Sequence, residues 1–184
     1  MFTSPAIALL ELESIARGYV LADAAVKKAA VRLLLTEAVT PGKFLLLFDG
    51  SEADVEESYR EAVALAGPGL LDKLHLPHAH PQLAEALVTP RFQSGIESLG
   101  ILETQTAASA LLAADAAVKS ADVRLSWLRL ARGIGGKGYF LVSGSLDMVE
   151  AAVASAAQAI APELLMTTEV IARPHADLVR RLHA

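Results

Sequence analysis

The chain has 184 residues, 53% hydrophobic and 20% charged, with a formal net charge of −5 and a mean hydropathy of +0.42. Such a balance excludes a disordered chain, and the negative charge with only 5% aromatic residues argues against a nucleic-acid binder, which needs clustered cations and stacking rings. The absence of cysteine excludes disulfides, thiolate metal sites and cysteine nucleophiles.

Arg32, Asp49, Arg124 and other charges interrupt every apolar run before the roughly 20 residues that a bilayer span needs, so no membrane partner is expected. Met1-Phe2-Thr3-Ser4-Pro5 carries no basic residue; no secretory signal is expected, and the cytoplasm is the expected compartment. Small domains this apolar are expected to bury part of their surface between subunits.

Residues 7–14 alternate apolar and polar side chains at Leu10-Glu11-Leu12-Glu13, which predicts a strand. Tyr19, Ala22 and Val26 then recur at helical spacing. The helix closes at Lys27, where a cation suits the C-terminal end of the dipole. Strands are expected over 31–35 and 44–48, on either side of the turn Thr40-Pro41-Gly42. A second helix starts near Ser51, with Asp54 as its capping signal and Val55, Tyr59, Ala62, Val63 and Ala66 as its apolar stripe. Gly67-Pro68-Gly69 ends it. A strand over 70–76 and a short helix after His80 complete the series, and residues 88–98, with Pro90 and Gly95 as breakers, are the expected interdomain connection.

The whole series then returns. Leu9-Leu10-Glu11 recurs as Ile101-Leu102-Glu103, and Ala22-Asp23-Ala24-Ala25-Val26-Lys27 as Ala114-Asp115-Ala116-Ala117-Val118-Lys119, each 92 residues on. Gly42-Lys43 and Val55-Glu56 return as Gly136-Lys137 and Val149-Glu150, 94 residues on, so the second copy holds two extra residues between Leu125 and Gly136. Its strands are expected over 99–105, 123–130, 139–143 and 164–172. One helix carries Leu111, Ala114 and Val118, the next carries Val149, Val153, Ala156, Ala157 and Ile160, and a short helix follows His175. Two tandem domains follow, 1–90 and 91–184, each an α+β layer with helices against a mostly antiparallel sheet.

Candidate chemistry is sparse. Gly133-Ile134-Gly135-Gly136-Lys137-Gly138 matches G-x-G-x-x-G, yet the strand-like Tyr139-Phe140-Leu141-Val142 follows where a dinucleotide site needs a helix. A tight glycine turn is the plainer reading; four glycines exceed what a hairpin requires, so a close backbone approach to some neighbour is expected. A small-molecule or nucleotide-binding regulatory protein or enzyme using this loop is the alternative function. His75, His78 and His80 cluster without carboxylates at ligand spacing, so no metal is expected. The duplicated Glu11 and Glu103 read as structural, no nucleophile elbow surrounds any serine, and no catalytic residue is assigned.

These residues resemble a known family. Leu10-Glu11 with Ser14-Ile15-Ala16-Arg17-Gly18, the twin Asp-Ala-x-x-Lys segments, Pro41-Gly42-Lys43-Phe44-Leu45-Leu46, Gly133-Ile134-Gly135-Gly136-Lys137 and Ile171-Ala172-Arg173-Pro174-His175 are similar to motifs of bacterial microcompartment shell proteins. The chain resembles their tandem-domain, trimer-forming members of the propanediol-utilisation type, with a non-permuted order of elements. The resemblance implies a non-enzymatic structural tile: a homotrimer whose six domains imitate a hexagon and meet hexameric and pentameric tiles of other shell proteins, with no cofactor. It implies that Thr40, Pro41 and Gly42 of the first copy and Ile134, Gly135 and Gly136 of the second line a central pore for small polar metabolites. Lys27, Lys119 and Arg173 fall at tile edges, with His78 and His80 as the less well matched equivalent in the first copy. Some relatives carry a cysteine where this chain has Thr40 and hold an iron–sulfur cluster there; without cysteine this chain lacks the ligands. Lys43, Lys137 and Arg132 are expected to bias the pore towards anions.

Overall fold

A computed structural model describes residues 6–88, 92 and 95–182. The expected boundary between residues 90 and 91, and Pro90 itself, lie outside the described residues.

Both repeats run strand, helix, strand, strand, helix, strand, helix. The first comprises β1 (Ala6–Leu12), α1 (Ile15–Lys28), β2 (Arg32–Val39), β3 (Lys43–Gly50), α2 (Glu52–Ala66), β4 (Leu70–Leu76) and α3 (Pro81–Val88). The second comprises β5 (Ser98–Thr104), α4 (Ala107–Ser120), β6 (Arg124–Leu130), β7 (Gly138–Gly144), α5 (Leu146–Gln158), β8 (Leu165–Ala172) and α6 (Ala176–Leu182). The sheets are wholly antiparallel, ordered β2-β3-β1-β4 and β6-β7-β5-β8.

The described residues form two compact units. One draws on residues 6–79 and 131–136, the other on 80–130 and 137–182. The first short helix therefore does not close its own repeat, as its place in sequence suggests: α3 packs on β6 and α4. The reason is chemical. Gln82 hydrogen-bonds the backbone of Val123 and Leu125, and Glu85 faces Arg124.

In the unit of residues 6–79 and 131–136, Ala8, Leu10 and Leu12 meet Leu21, Ala22 and Ala25 of α1, Phe44, Leu46 and Phe48 of β3, and Val55 and Ala62 of α2. Ser14 caps α1 by accepting from the Arg17 N–H, and the Arg17 guanidinium reaches the Leu65 carbonyl. Gly18 lies under the Phe44 ring, where a Cβ would come within 2.1 Å of a ring carbon. The Ser58 hydroxyl, fully buried, donates to the Ala25 carbonyl at 2.8 Å and joins α2 to α1.

The expected α1 stripe is corrected. Ala22 is buried, but Tyr19 and Val26 stand exposed, and the core face is Gly18, Leu21, Ala22 and Ala25. The counterparts Leu111, Ala114 and Val118 in α4 are buried as expected. β2 also runs four residues beyond its expected end, because a bulge between Leu33 and Leu35 hides the alternation; β6 repeats it between Leu125 and Trp127.

Candidate functional site

The β2–β3 turn is short. Val39 pairs with Lys43, leaving residues 40–42 to reverse the chain, and the Gly42 N–H donates to the Val39 carbonyl at 2.8 Å. Gly42 has φ +120°, a conformation that favours glycine. In the second repeat the ladder ends one pair earlier, at Leu130 and Gly138, so residues 131–137 make the turn and absorb the two extra residues. Left-handed φ angles at Ala131, Gly133, Gly135 and Gly136 carry it round.

The two turns come together. Residues 131–136 belong to the unit of the first repeat. A Cβ on Gly136 would lie 3.1 Å from both Pro41 Cδ and the Thr40 carbonyl oxygen and 3.3 Å from Lys43 Cε. This is the close backbone approach that the glycine run requires, and the neighbour is the other turn. Thr40, Pro41, Gly42 and Gly135 are exposed, Ile134 is half-buried and Gly136 is buried.

The cations around the turns are all paired. Lys43 Nζ lies 3.4 Å from Glu11, and Lys137 Nζ lies 2.8 Å from Glu103. Arg132 Nε donates to Glu37 Oε1 at 3.0 Å, with a second bond from its terminal nitrogen to Oε2. The hydrogen bond and charge of Glu37 raise the Arg132 pKa above its ordinary value. The expected anion bias from Lys43, Lys137 and Arg132 therefore meets three carboxylates, and Glu37, absent from the sequence reading, is the residue that changes it. Nothing in the sequence signals Glu37, since its partner lies 95 residues away.

The glycine loop leads into β7, with no helix after it to present its N-terminus to a phosphate. The three histidines have different surroundings. His75 stacks on Tyr59 with ring centroids 5.3 Å apart, His78 faces Glu52 at 3.9 Å, and His80 Nδ1 accepts from the Gln82 N–H at 3.3 Å. Burial, helped by Asp72, pushes the Tyr59 phenol above its usual pKa. Glu11 is fully buried and salt-bridged, a structural carboxylate.

The candidate edge lysines repeat one geometry: Lys27 Nζ lies 2.5 Å from Asp23, and Lys119 Nζ lies 2.5 Å from Asp115. Arg173 adopts φ +49°, and its N–H donates to the Glu97 carbonyl at 2.7 Å. One cluster escapes sequence reading because its members are dispersed. Trp127 meets Phe92 and Tyr139 edge-on, at 6.4 and 6.1 Å between centroids, and the Arg129 guanidinium lies 5.8 Å from the Trp127 ring.

A four-stranded antiparallel sheet with two packed helices, made twice, defines a tandem α+β protein. Its repeats at residues 6–79 and 98–174 both match the family model for the BMC domain. The chain belongs to the BMC-domain family of bacterial microcompartment shell proteins, in its tandem form. It is 38% identical over 180 residues to the bacterial microcompartment shell protein PduT of Citrobacter freundii, covering 97% of this chain and 98% of that one. A microcompartments protein from Desulfitobacterium hafniense of known crystal structure superposes with a TM-score of 0.85 at 38% identity, over 97% of this chain and 99% of that one. The fused permuted hexameric shell protein of the RMM microcompartment, at 22% identity, shares the fold with a TM-score of 0.62, over 85% of this chain and 81% of that one. The chain is thus a structural shell component, and no helix among its described residues is long and apolar enough to cross a membrane.

Proposed function

We propose that the protein is a wall tile that assembles as a homotrimer, its six domains imitating a hexagon around a central conduit. Thr40, Pro41, Gly42, Ile134, Gly135 and Gly136 line that conduit. The observation that carries this reading is the seating of Gly136 on Thr40 and Pro41, which unites turns from the two repeats at one place. Three Thr40 hydroxyls, each donor and acceptor, make a polar and uncharged constriction. Because Lys43, Lys137 and Arg132 are each held by a glutamate, the conduit favours small uncharged polar metabolites over anions.

The tile lies in the cytoplasm, in the shell of a microcompartment, and performs no catalysis. Lys27, Lys119, Arg173, His78 and His80 form its edges against hexameric and pentameric tiles of other shell proteins. Native mass measurement of the full chain tests the trimer. Passage of a small polar metabolite through assembled shells tests the conduit: Thr40→Trp is expected to slow it, and unchanged passage would exclude Thr40 from the constriction.

A further inference from the structure

The two sheets differ in what covers their edge strands. β6 is the edge of its sheet, and α3 lies along it. The Gln82 side chain bridges this edge: Oε1 accepts from the Leu125 N–H at 2.8 Å, and Nε2 donates to the Val123 carbonyl at 3.2 Å. One primary amide thus supplies the donor and acceptor that a further strand would bring, which blunts the edge. The His80 N–H donates to Asp115 Oδ1 at 2.8 Å, Glu85 lies 3.7 Å from Arg124, and Leu83, Ala84 and Ala86 are buried.

The matching edge in the other unit is β2, and that unit contains no counterpart of α3 among its described residues. The consequence shows in exposure. Leu33 is 36% exposed where its equivalent Leu125 is 3%, Val26 is 42% where Val118 is 7%, and Tyr19 is 59% where Leu111 is 0%. Asp23, the equivalent of Asp115, is likewise open to solvent.

The counterpart helix exists elsewhere in the chain. Leu76 and Ile171 face Ile7 and Leu99 at the same place in β1 and β5, and this register carries His80 to His175, Gln82 to Asp177, Leu83 to Leu178 and Glu85 to Arg180. The two helices also open alike: the Gln82 N–H donates to His80 Nδ1, and the Asp177 N–H to His175 Nδ1. Yet α6 buries none of its residues, and Leu178 stands exposed.

We propose that α6 of one copy seats on the β2–α1 face of a second copy, as α3 seats on β6 and α4. The inference rests on the trimer reading and names the contact that closes the ring. Leu178 takes the place of Leu83 and Val179 that of Ala84. The Asp177 carboxylate accepts from the Leu33 N–H, and the His175 N–H donates to Asp23. Arg180 falls where Glu85 meets Arg124, and there it faces Arg32, whose guanidinium is bound to Asp49. The ion pair of the first seat is therefore not repeated, and apolar burial carries the second. Because the contact joins unlike surfaces, it runs head to tail, as a ring requires, and the trimer reading sets its closure at three copies.

Sedimentation of the full chain over a range of concentrations tests this together with amide hydrogen exchange. Leu178→Glu is expected to weaken association roughly tenfold or more, since a buried leucine contributes more than one factor of ten. Far-UV circular dichroism should stay unchanged, because no residue of α6 is fully buried in its own chain and Leu178 is exposed there. In the assembled wild type, the Leu33 N–H and the amides of α6 should be protected relative to dilute protein. A trimeric wild type with an unprotected Leu33 N–H overturns the seat, as does a Leu178→Glu protein of unchanged mass, and in both cases the trimer stands. Should the variant fail to fold, exchange in the wild type decides alone. A wild type monomeric at every concentration overturns the trimer and the seat together.

Discussion

The ammonium of Lys43 lies 3.4 Å from the carboxylate of Glu11, and the same pair recurs as Lys137 and Glu103 at 2.8 Å. The two copies sit in different surroundings. The Glu11 side chain is fully buried and that of Lys43 is 20% exposed, whereas Lys137 and Glu103 are 41% and 32% exposed. Removing Lys43 takes an ion-pair partner from a buried carboxylate, which is expected to cost up to about 3–5 kcal/mol. Removing Lys137 leaves Glu103 reachable by water, and the expected cost is below about 1 kcal/mol. Urea unfolding of Lys43→Ala and Lys137→Ala measures both; equal losses would remove burial as the cause.

Gly18 gives a sharper packing test. A methyl at this position would meet the Phe44 ring at 2.1–2.7 Å. Phe44 is fully buried in the core, so the ring has little room to retreat. Gly18→Ala is expected to cost about 1–3 kcal/mol by overpacking, although alanine is the better helix former. A thermal midpoint at or above the wild-type value would show that the ring moves freely.

These residues also show how much could be read in advance. The element order, both sheets and the recurrence of Glu11 and Lys43 as Glu103 and Lys137 were legible because the chain states them twice. The α1 stripe was not. Tyr19 and Val26 keep helical spacing yet stand exposed, since apolar periodicity marks a face to be covered without saying what covers it. Nor could α3 be assigned to β6, because Gln82 and Glu85 find partners about 40 residues on, with no local pattern to announce them. The turns were recognised as a candidate site by resemblance, but their meeting at Gly136 depends on the fold alone.

Gly136 and Gly135 separate conformation from contact. Both have left-handed backbone, at φ +81° and +69°, but only Gly136 has neighbours that a Cβ would press. Gly135→Ala is expected to cost about 1 kcal/mol for its φ alone. Gly136→Ala adds the clash with Pro41 and the Thr40 carbonyl and should cost about 1–3 kcal/mol in total. Thermal unfolding of the two variants side by side reads the difference; equal losses would mean that the two turns do not press on one another.

Asp147, in the first turn of α5, sets an acid limit. The Ser145 hydroxyl donates to its carboxylate at 2.5 Å, and with the Met148 N–H this holds its pKa below the ordinary value of 3.8. As pH falls, the unfolded chain therefore takes up this proton before the folded one does. The contribution is complete above the unfolded value and is lost as pH drops through the folded value. Ser145→Ala should move the Asp147 titration, followed by carboxyl NMR, up towards 3.8. A titration that does not move would discard the hydroxyl as the main cause.

In the proposed tile, the Arg132–Glu37 pair decides the charge that the conduit turn shows to a passing solute. Arg132 is 65% exposed at its side chain and stays cationic at every pH of interest, its pKa raised further by Glu37. Glu37 sets one negative charge against it and accepts two of its hydrogen bonds. Glu37→Gln keeps the shape and one acceptor oxygen but removes one negative charge per chain, three around the proposed trimer axis, and so adds net positive charge there. Focused in a narrow opening, such charge raises the local concentration of anions, by roughly tenfold at low salt. Shells assembled with Glu37→Gln tiles should therefore pass small anions faster than wild-type shells, with little change for a neutral solute of equal size. The advantage should fade as ionic strength rises and screening shortens the reach of the charge. Anion passage that is unchanged at low salt would place Arg132 away from the solute's path.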